Sequence, residues 1–181
     1  VNGVMTNSGT VESASNGTLD LAGGSFTNTG ILSAGGIGTA GTLTVLGTMT
    51  FGSGSTVVAD IGGTVAGIDH DVIDIQGTGN LGGQLDIALI NGFVPAGQAF
   101  DIVECSTCSG SFTLGTAPAG FSLASLPGLV QAVHSLSGAI LWDNETGDDL
   151  WFNPLNWSTN TLPGTGAVSY THLRAHETRY D

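Results

Sequence analysis

Asp69, Asp71 and Asp74 form a dense group of acids, with His70 between the first two. Hard oxygen ligands at such close spacing suit Ca²⁺. Two carboxylates a few ångströms apart also suit a glycosidase, one as acid and the other as nucleophile or base, with His70 as a further candidate base. The plainer reading makes the three aspartates solvated turn and strand-edge positions and His70 a solvent-facing loop residue. Alternation along a strand sends Asp71 and Ile73 to one face and Val72 and Asp74 to the other, so the carboxylates do not converge. No cation and no aromatic platform stands near them to bind a sugar. The plainer reading is preferred: no catalytic residue, no cofactor, and calcium only as a weak possibility at Asp69, Asp71 and Asp74.

A second acid group, Asp143, Glu145, Asp148 and Asp149, lies in a loop between tryptophans. It lacks the 1-3-5 oxygen ligands, Gly at 6 and Glu at 12 of an EF-hand loop. The repeat-in-toxin calcium pattern fails at Gly35-Gly36-Ile37-Gly38-Thr39, which Ala40 follows where that pattern needs Asp. Trp142, Trp151, Phe152 and Trp157 could stack on sugar rings, but a small aromatic core for a short segment is preferred. His134 is placed on the outer face of a strand. Cys105-Ser-Thr-Cys108 lacks the strand-to-helix setting of a thioredoxin-like site and the second ligand pair of a zinc site.

The charge distribution excludes whole classes of function. Of 181 residues, 15 are acidic and 2 basic, for a net charge of -13. Both cations, Arg174 and Arg179, fall within 168–181. Residues 1–167 therefore cannot neutralise nucleic-acid phosphates or anionic lipid headgroups, and a Walker-type loop has no lysine. A pectate-lyase-type base is missing for the same reason. The abrupt change at 168 marks 168–181 as a tail of different origin, similar to translated sequencing-adapter read-through, and it is set aside. The chain opens at Val1 with no charged-then-apolar leader and reads as a fragment.

The elements that would position these residues follow from Gly content and repetition. Thirty glycines and 9 % charged residues disfavour helices and coiled coils, and polar interruptions every few residues leave no apolar run for membrane insertion. Met5-Thr6-Asn7-Ser8-Gly9 returns as Phe26-Thr27-Asn28-Thr29-Gly30, and Gly17-Thr18-Leu19-Asp20-Leu21-Ala22-Gly23 as Gly41-Thr42-Leu43-Thr44-Val45-Leu46-Gly47. A drifting period near two dozen residues predicts a parallel β-solenoid, one coil per repeat. Leu19, Leu21, Leu43 and Val45 then point inward, and Met5, Phe26 and Met49 stack in one interior column. Asn7 and Asn28 begin an amide ladder. Further strands are predicted at 56–61, 71–76, 84–90, 99–104, 111–114, 121–123 and 132–142, separated by turns such as Gly77-Thr78-Gly79. The fold class is all-β: a β-solenoid over 1–142, a Trp-rich linker or next unit over 143–167, and the tail over 168–181.

The run Gly41-Thr-Leu-Thr-Val-Leu-Gly, Phe51-Gly-Ser-Gly-Ser55, Asp69-His-Asp-Val-Ile-Asp-Ile75 and Leu81-Gly-Gly-Gln-Leu-Asp-Ile87 resembles the C-terminal coils of autotransporter passengers and filamentous-haemagglutinin-like surface proteins. Gly92-Phe-Val-Pro-Ala-Gly97, Phe100-Asp-Ile-Val103 and Ser109-Gly-Ser-Phe112 extend the likeness. The resemblance implies a right-handed solenoid, export by a Gram-negative-type bacterium, surface display, and an adhesive or structural role without catalytic residues. Nothing in the chain resembles the outer-membrane barrel that follows such coils; the Trp142-to-Trp157 stretch is similar instead to units between solenoid segments of large secreted proteins. In an exported protein Cys105 and Cys108 read as a small disulfide pinching the turn between two strands.

The expected function is a secreted or cell-surface scaffold, adhesin-like and not an enzyme. Its expected partners are host or environmental glycans or surface proteins, with no nucleic acid and no membrane insertion. The alternative is a β-helical polysaccharide-active enzyme or carbohydrate-binding module.

Overall fold

The structure is a computed structural model that describes residues 3–13, 15–135, 144–157 and 162. The chain divides into two units, Val1–Ser135 and Leu136–Asp181.

The first unit is a parallel β-solenoid of about four turns. In chain order its strands are β1 (Val4–Asn7), β2 (Thr10–Glu12), β3 (Asn16–Asn28), β4 (Ile31–Ser33), β5 (Thr42–Phe51), β6 (Thr56–Ile61), β7 (Val72–Leu81), β8 (Gln84–Leu89), β9 (Ala99–Gly110), β10 (Thr113–Leu114), β11 (Phe121–Leu126) and β12 (Leu129–His134). The odd strands β1 to β9 stack in one sheet and the even strands β2 to β10 in the other, each pairing parallel with the strand one coil away. The long odd strands bend partway: register breaks fall between Asp20 and Ser25 in β3 and between Ile75 and Thr78 in β7. Gly77-Thr78-Gly79 is thus a bend inside a strand rather than a separator.

Alternation builds the core. Register places Met5, Phe26, Met49, Gly79 and Cys108 in one column, and Leu19, Val45, Ile75 and Cys105 in its neighbour. Phe26, Met49, Val45 and Ile75 are buried. Each such apolar side chain contributes roughly 1.5–3 kcal/mol by leaving water. The other face presents Thr27, Thr50, Asn80 and Ser109 in register, joined by Asn80 Nδ2 donating to Thr50 Oγ1 (3.0 Å) and Ser109 Oγ to Asn80 Oδ1 (3.1 Å). The amide ladder is present: Asn7 Nδ2 donates to Asn28 Oδ1 at 2.7 Å.

Three expectations are corrected. Leu19 registers with Val45 rather than with Leu43. The coil is two residues longer there than the motif repeat, and an even difference keeps every side chain on its expected face. The coils also do not continue to the end of the unit: β12 runs antiparallel to β9, and β11 antiparallel to β12, so a hairpin closes the large sheet. Its turn is Leu126-Pro127-Gly128-Leu129, with Gly128 at φ +76°. Finally, Cys105 and Cys108 are disulfide-bonded, not between two strands but inside β9, where both occupy inner columns.

Gly79 explains how the disulfide fits. A Cβ at this position would stand 2.5 Å from Cys105 Sγ and 3.2 Å from Ile75 Cδ1. Where earlier coils put Phe26 and Met49, this coil leaves the room the sulfurs fill.

In the second unit the described residues form a short loop and a single 3₁₀ turn, Pro154–Asn156, capped by Asn153 Oδ1 accepting from Leu155 N. Trp142 and Asp143 lie outside the described residues, as do 168–181 and the end of the strand predicted at 132–142.

Candidate functional site

The three aspartates end up in three different settings. Asp69 sits in the loop between β6 and β7, where its Oδ2 accepts from Val65 N (3.1 Å) and its own N–H donates to Val65 O (2.7 Å). Asp74 lies on the outer face of β7 between Thr44 and Glu104 of the adjacent coils, and Gln76 Nε2 donates to its Oδ2 at 2.9 Å. Asp71 is 1 % exposed. The structure does not bring the three together, and among the described residues no three His, Cys, Asp or Glu side chains gather as a metal site would need.

Asp71 and His70 are not the solvated positions expected from sequence. Asp71 Oδ1 accepts from Gly41 N (2.9 Å) and Oδ2 from Asp60 N (3.0 Å), while Asp71 N donates back to Asp60 O (3.0 Å). One carboxylate thereby ties the entry to β5, the end of β6 and the entry to β7. Burial dominates its titration: desolvation pushes its pKa up to about 8, against the two N–H donors and with a smaller push from the Asp60 charge. His70 is 3 % exposed, packs edge-on against Phe100 (5.4 Å between ring centres), and its Nδ1 lies 3.3 Å from Gly63 O. Burial pulls its pKa down, so the ring stays neutral and enclosed rather than serving as an open base.

Asp60 is the residue that sequence reasoning missed. It occupies an outward position of β6, yet it is fully buried. Its Oδ2 accepts from Gly38 N at 2.6 Å, with Gly38 at φ +86°. Desolvation again raises its pKa above the usual carboxylate value. The one available signal was an acid within the otherwise apolar run Val57-Val58-Ala59-Asp60-Ile61. Asp60 and Asp71 together form a buried acid pair that joins coils. Glu104, on the outer face, also has a raised pKa, first from burial and then from the charges of Asp101 and Asp74.

The acids of the second unit are held differently. Asp148 Oδ1 accepts from Leu150 N (2.9 Å) and Asn156 Nδ2 (2.5 Å), and Oδ2 from Asn153 Nδ2 (2.6 Å). Those donors, the Leu150 N–H foremost, hold its pKa down at about 2. Asn144 Nδ2 donates to Asp149 Oδ1 at 2.6 Å. With its oxygens engaged by N–H groups, Asp148 has the character of a loop-closing acceptor rather than a calcium ligand. Trp157 is buried, its ring edge-on to Trp151 at 4.5 Å with Nε1 donating to Trp151 O, whereas Phe152 is 81 % exposed and stands apart.

His134 is also corrected. It shares the inward parity of Val130 and Ala132, opposes Phe121 across the hairpin with ring centres 5.0 Å apart, and accepts at Nδ1 from Gly97 N (3.3 Å).

Comparison with protein-family models, curated proteins and solved structures finds no match for this chain.

Proposed function

We propose that this chain is a stretch of an exported, surface-displayed rod with a structural or adhesin-like role and no catalysis of its own. One observation carries the reading: the acids whose spacing suggested chemistry are not gathered into a site, and the buried one among them, Asp71, is spent together with Asp60 on holding coils together. Asp71 and Asp60 bind backbone N–H groups across the solenoid, and Asp69 and Asp74 point to separate places. The outward faces carry ladders of Thr, Asn and Ser, a surface suited to solvation along a rod. Net charge of -13 keeps such rods apart. The disulfide fits an oxidising compartment outside the cytosol.

The test uses the full chain. Thiol trapping and antibody labelling of intact producing cells should find Cys105 and Cys108 oxidised and the coils accessible from outside. Incubation with a polysaccharide panel, with and without calcium, should release no reducing ends. Reducing-end release that Asp71→Asn or Asp74→Asn abolishes without altering the far-UV spectrum would replace the scaffold with the enzyme alternative. Glycan-array binding without turnover would sharpen the role to adhesion.

A further inference from the structure

We propose that Asn91-Gly92 is a self-modification site: the chain converts Asn91 to aspartate or isoaspartate there, and the change loosens the Gly62 loop of the neighbouring coil. This goes beyond the scaffold reading and does not rest on it. Ile90-Asn91-Gly92-Phe93 is a tight turn, closed by Phe93 N donating to Ile90 O at 3.0 Å. Asn91 and Gly92 have φ of +54° and +69°, the left-handed pair that a type I′ turn needs and that selects Asn-Gly. Both residues are exposed, and the Gly92 N–H donates to no backbone carbonyl among the described residues.

The pair sets a nucleophile beside an electrophile. The Gly92 nitrogen, as its anion, attacks Asn91 Cγ; a new C–N bond closes a five-membered imide and Nδ2 leaves as ammonia, taking a proton from water. Water then opens the imide. Cleavage of the bond to Cγ gives aspartate, whereas cleavage of the bond to the main-chain carbonyl carbon gives isoaspartate with a free α-carboxylate. Ammonia is lost and water gained, with no oxidant or cofactor. Glycine brings no Cβ to crowd the attack, and a turn held by one hydrogen bond rotates readily into the ring geometry. Asn16-Gly17 supplies the contrast: it lies in β3, registered with Thr42 and Leu43 of β5, so ring closure there must first strip a strand from its neighbour. A third pair, Asn2-Gly3, has its asparagine outside the described residues.

The turn is seated on the adjacent coil. A Cβ at Gly62 would stand 2.9 Å from Ile90 Cγ1 and 3.0 Å from Asn91 Nδ2, and Ile90 N donates to Ile61 O at 3.0 Å. Gly62 N in turn donates to Asp69 O at 2.6 Å. A carboxylate made at position 91 therefore stands over a loop that already carries Asp69, in a stretch without Lys or Arg to offset it. Isoaspartate also inserts a methylene into the main chain just ahead of Phe93, whose ring packs edge-on to Phe100 at 6.0 Å between centres.

The experiment ages the full chain in mildly alkaline buffer at body temperature and follows ammonia release, peptide mapping by mass and labelling by an isoaspartyl methyltransferase. Position 91 should convert at least about tenfold faster than position 16 in the folded chain, and the two at similar rates in urea. Amide hydrogen exchange in 62–71 should rise as position 91 converts. Asn91→Gly, which keeps the left-handed backbone and cannot form the imide, should abolish both changes, with far-UV melting showing that it folds. Equal rates at the two positions in the folded chain, or faster conversion at position 16, would overturn the proposal. So would full conversion at position 91 with unchanged exchange in 62–71, or a rise in that exchange that Asn91→Gly also shows.

Discussion

The two units use the same polar side chains over different distances in sequence. In the solenoid, Asp71 reaches Gly41, Asp60 reaches Gly38, Asn7 reaches Asn28 and Asn80 reaches Thr50, separations of 21 to 30 residues. In the described part of the second unit, Asp148, Asn153 and Asn156 bond partners no more than ten residues away. Long-range bonds exist only when whole coils are stacked, so each is coupled to the cooperative fold. Short-range bonds shape a loop and are lost with it. Titration divides along the same line: enclosure raises Asp71, and exposed donors lower Asp148.

The contrast breaks most severely at Asp71. Asp71→Ala orphans two buried N–H groups, at Gly41 and Asp60, and leaves a small void. The expected loss is about 2–4 kcal/mol of solenoid stability at neutral pH, read from urea unfolding by far-UV circular dichroism. All three tryptophans lie outside the solenoid, so tryptophan fluorescence reports the second unit and should keep its midpoint. A fluorescence midpoint that moves with the dichroism midpoint would show the two units melting as one.

The same carboxyl sets a pH dependence. Its pKa in the folded chain is about 8 and in the unfolded chain near the ordinary 3.8, so between these values the folded state holds a proton that the unfolded state has released. Stability of the solenoid therefore falls as pH rises through that window, and the raised pKa of Asp60 acts in the same direction. Thermal midpoints should be higher at pH 5 than at pH 8.5, and Asp71→Asn should flatten the difference. A midpoint that climbs over this range would contradict the burial argument.

Next in size is Gly79→Ala. The added methyl meets Cys105 Sγ and Ile75 Cδ1, and overpacking of this kind costs about 1–3 kcal/mol. In a Cys105→Ala/Cys108→Ala background the sulfurs are gone and the cost should largely vanish, a coupling that a double-mutant cycle measures directly. An unchanged cost would place the obstacle in the backbone instead.

The repetitive part of the solenoid was readable because inner columns demand apolar residues at a fixed parity. Met5, Phe26 and Met49 were assigned to the column they occupy, and 56–61 was delimited as β6 is. What failed was whatever depends on distant chain. The closing hairpin has the same alternation as a coil, and only Pro127-Gly128 marked its reversal. Asp71 looks like a surface acid on its local pattern, and Asp60 differs only in standing within an apolar run; the backbone that buries and bonds them comes from residues 38–41, some twenty to thirty positions earlier. Distance in sequence, which makes these bonds cooperative, is also what hid them.

The smallest expected effect lies at Asp148, where the sign of the pH dependence reverses. Its carboxylate, held down at about 2 by the Leu150 N–H and the amides of Asn153 and Asn156, is still charged in the loop when the unfolded chain has taken up a proton near pH 3.8. The loop is therefore favoured above that value and loses the contribution as pH falls from about 3.8 through about 2. Because the group is exposed, solvent screens it and the loss should be slight. Carbon-detected carboxyl titration by NMR isolates it: Asp148 should show its midpoint near 2 while Asp71 shows one near 8 in the same sample. Asn153→Ala removes one donor and should move the Asp148 midpoint upward with Asp71 unmoved. If both carboxyls shifted together, the acids of the two units would share one network, and the division between coil-spanning and loop-closing bonds would not hold.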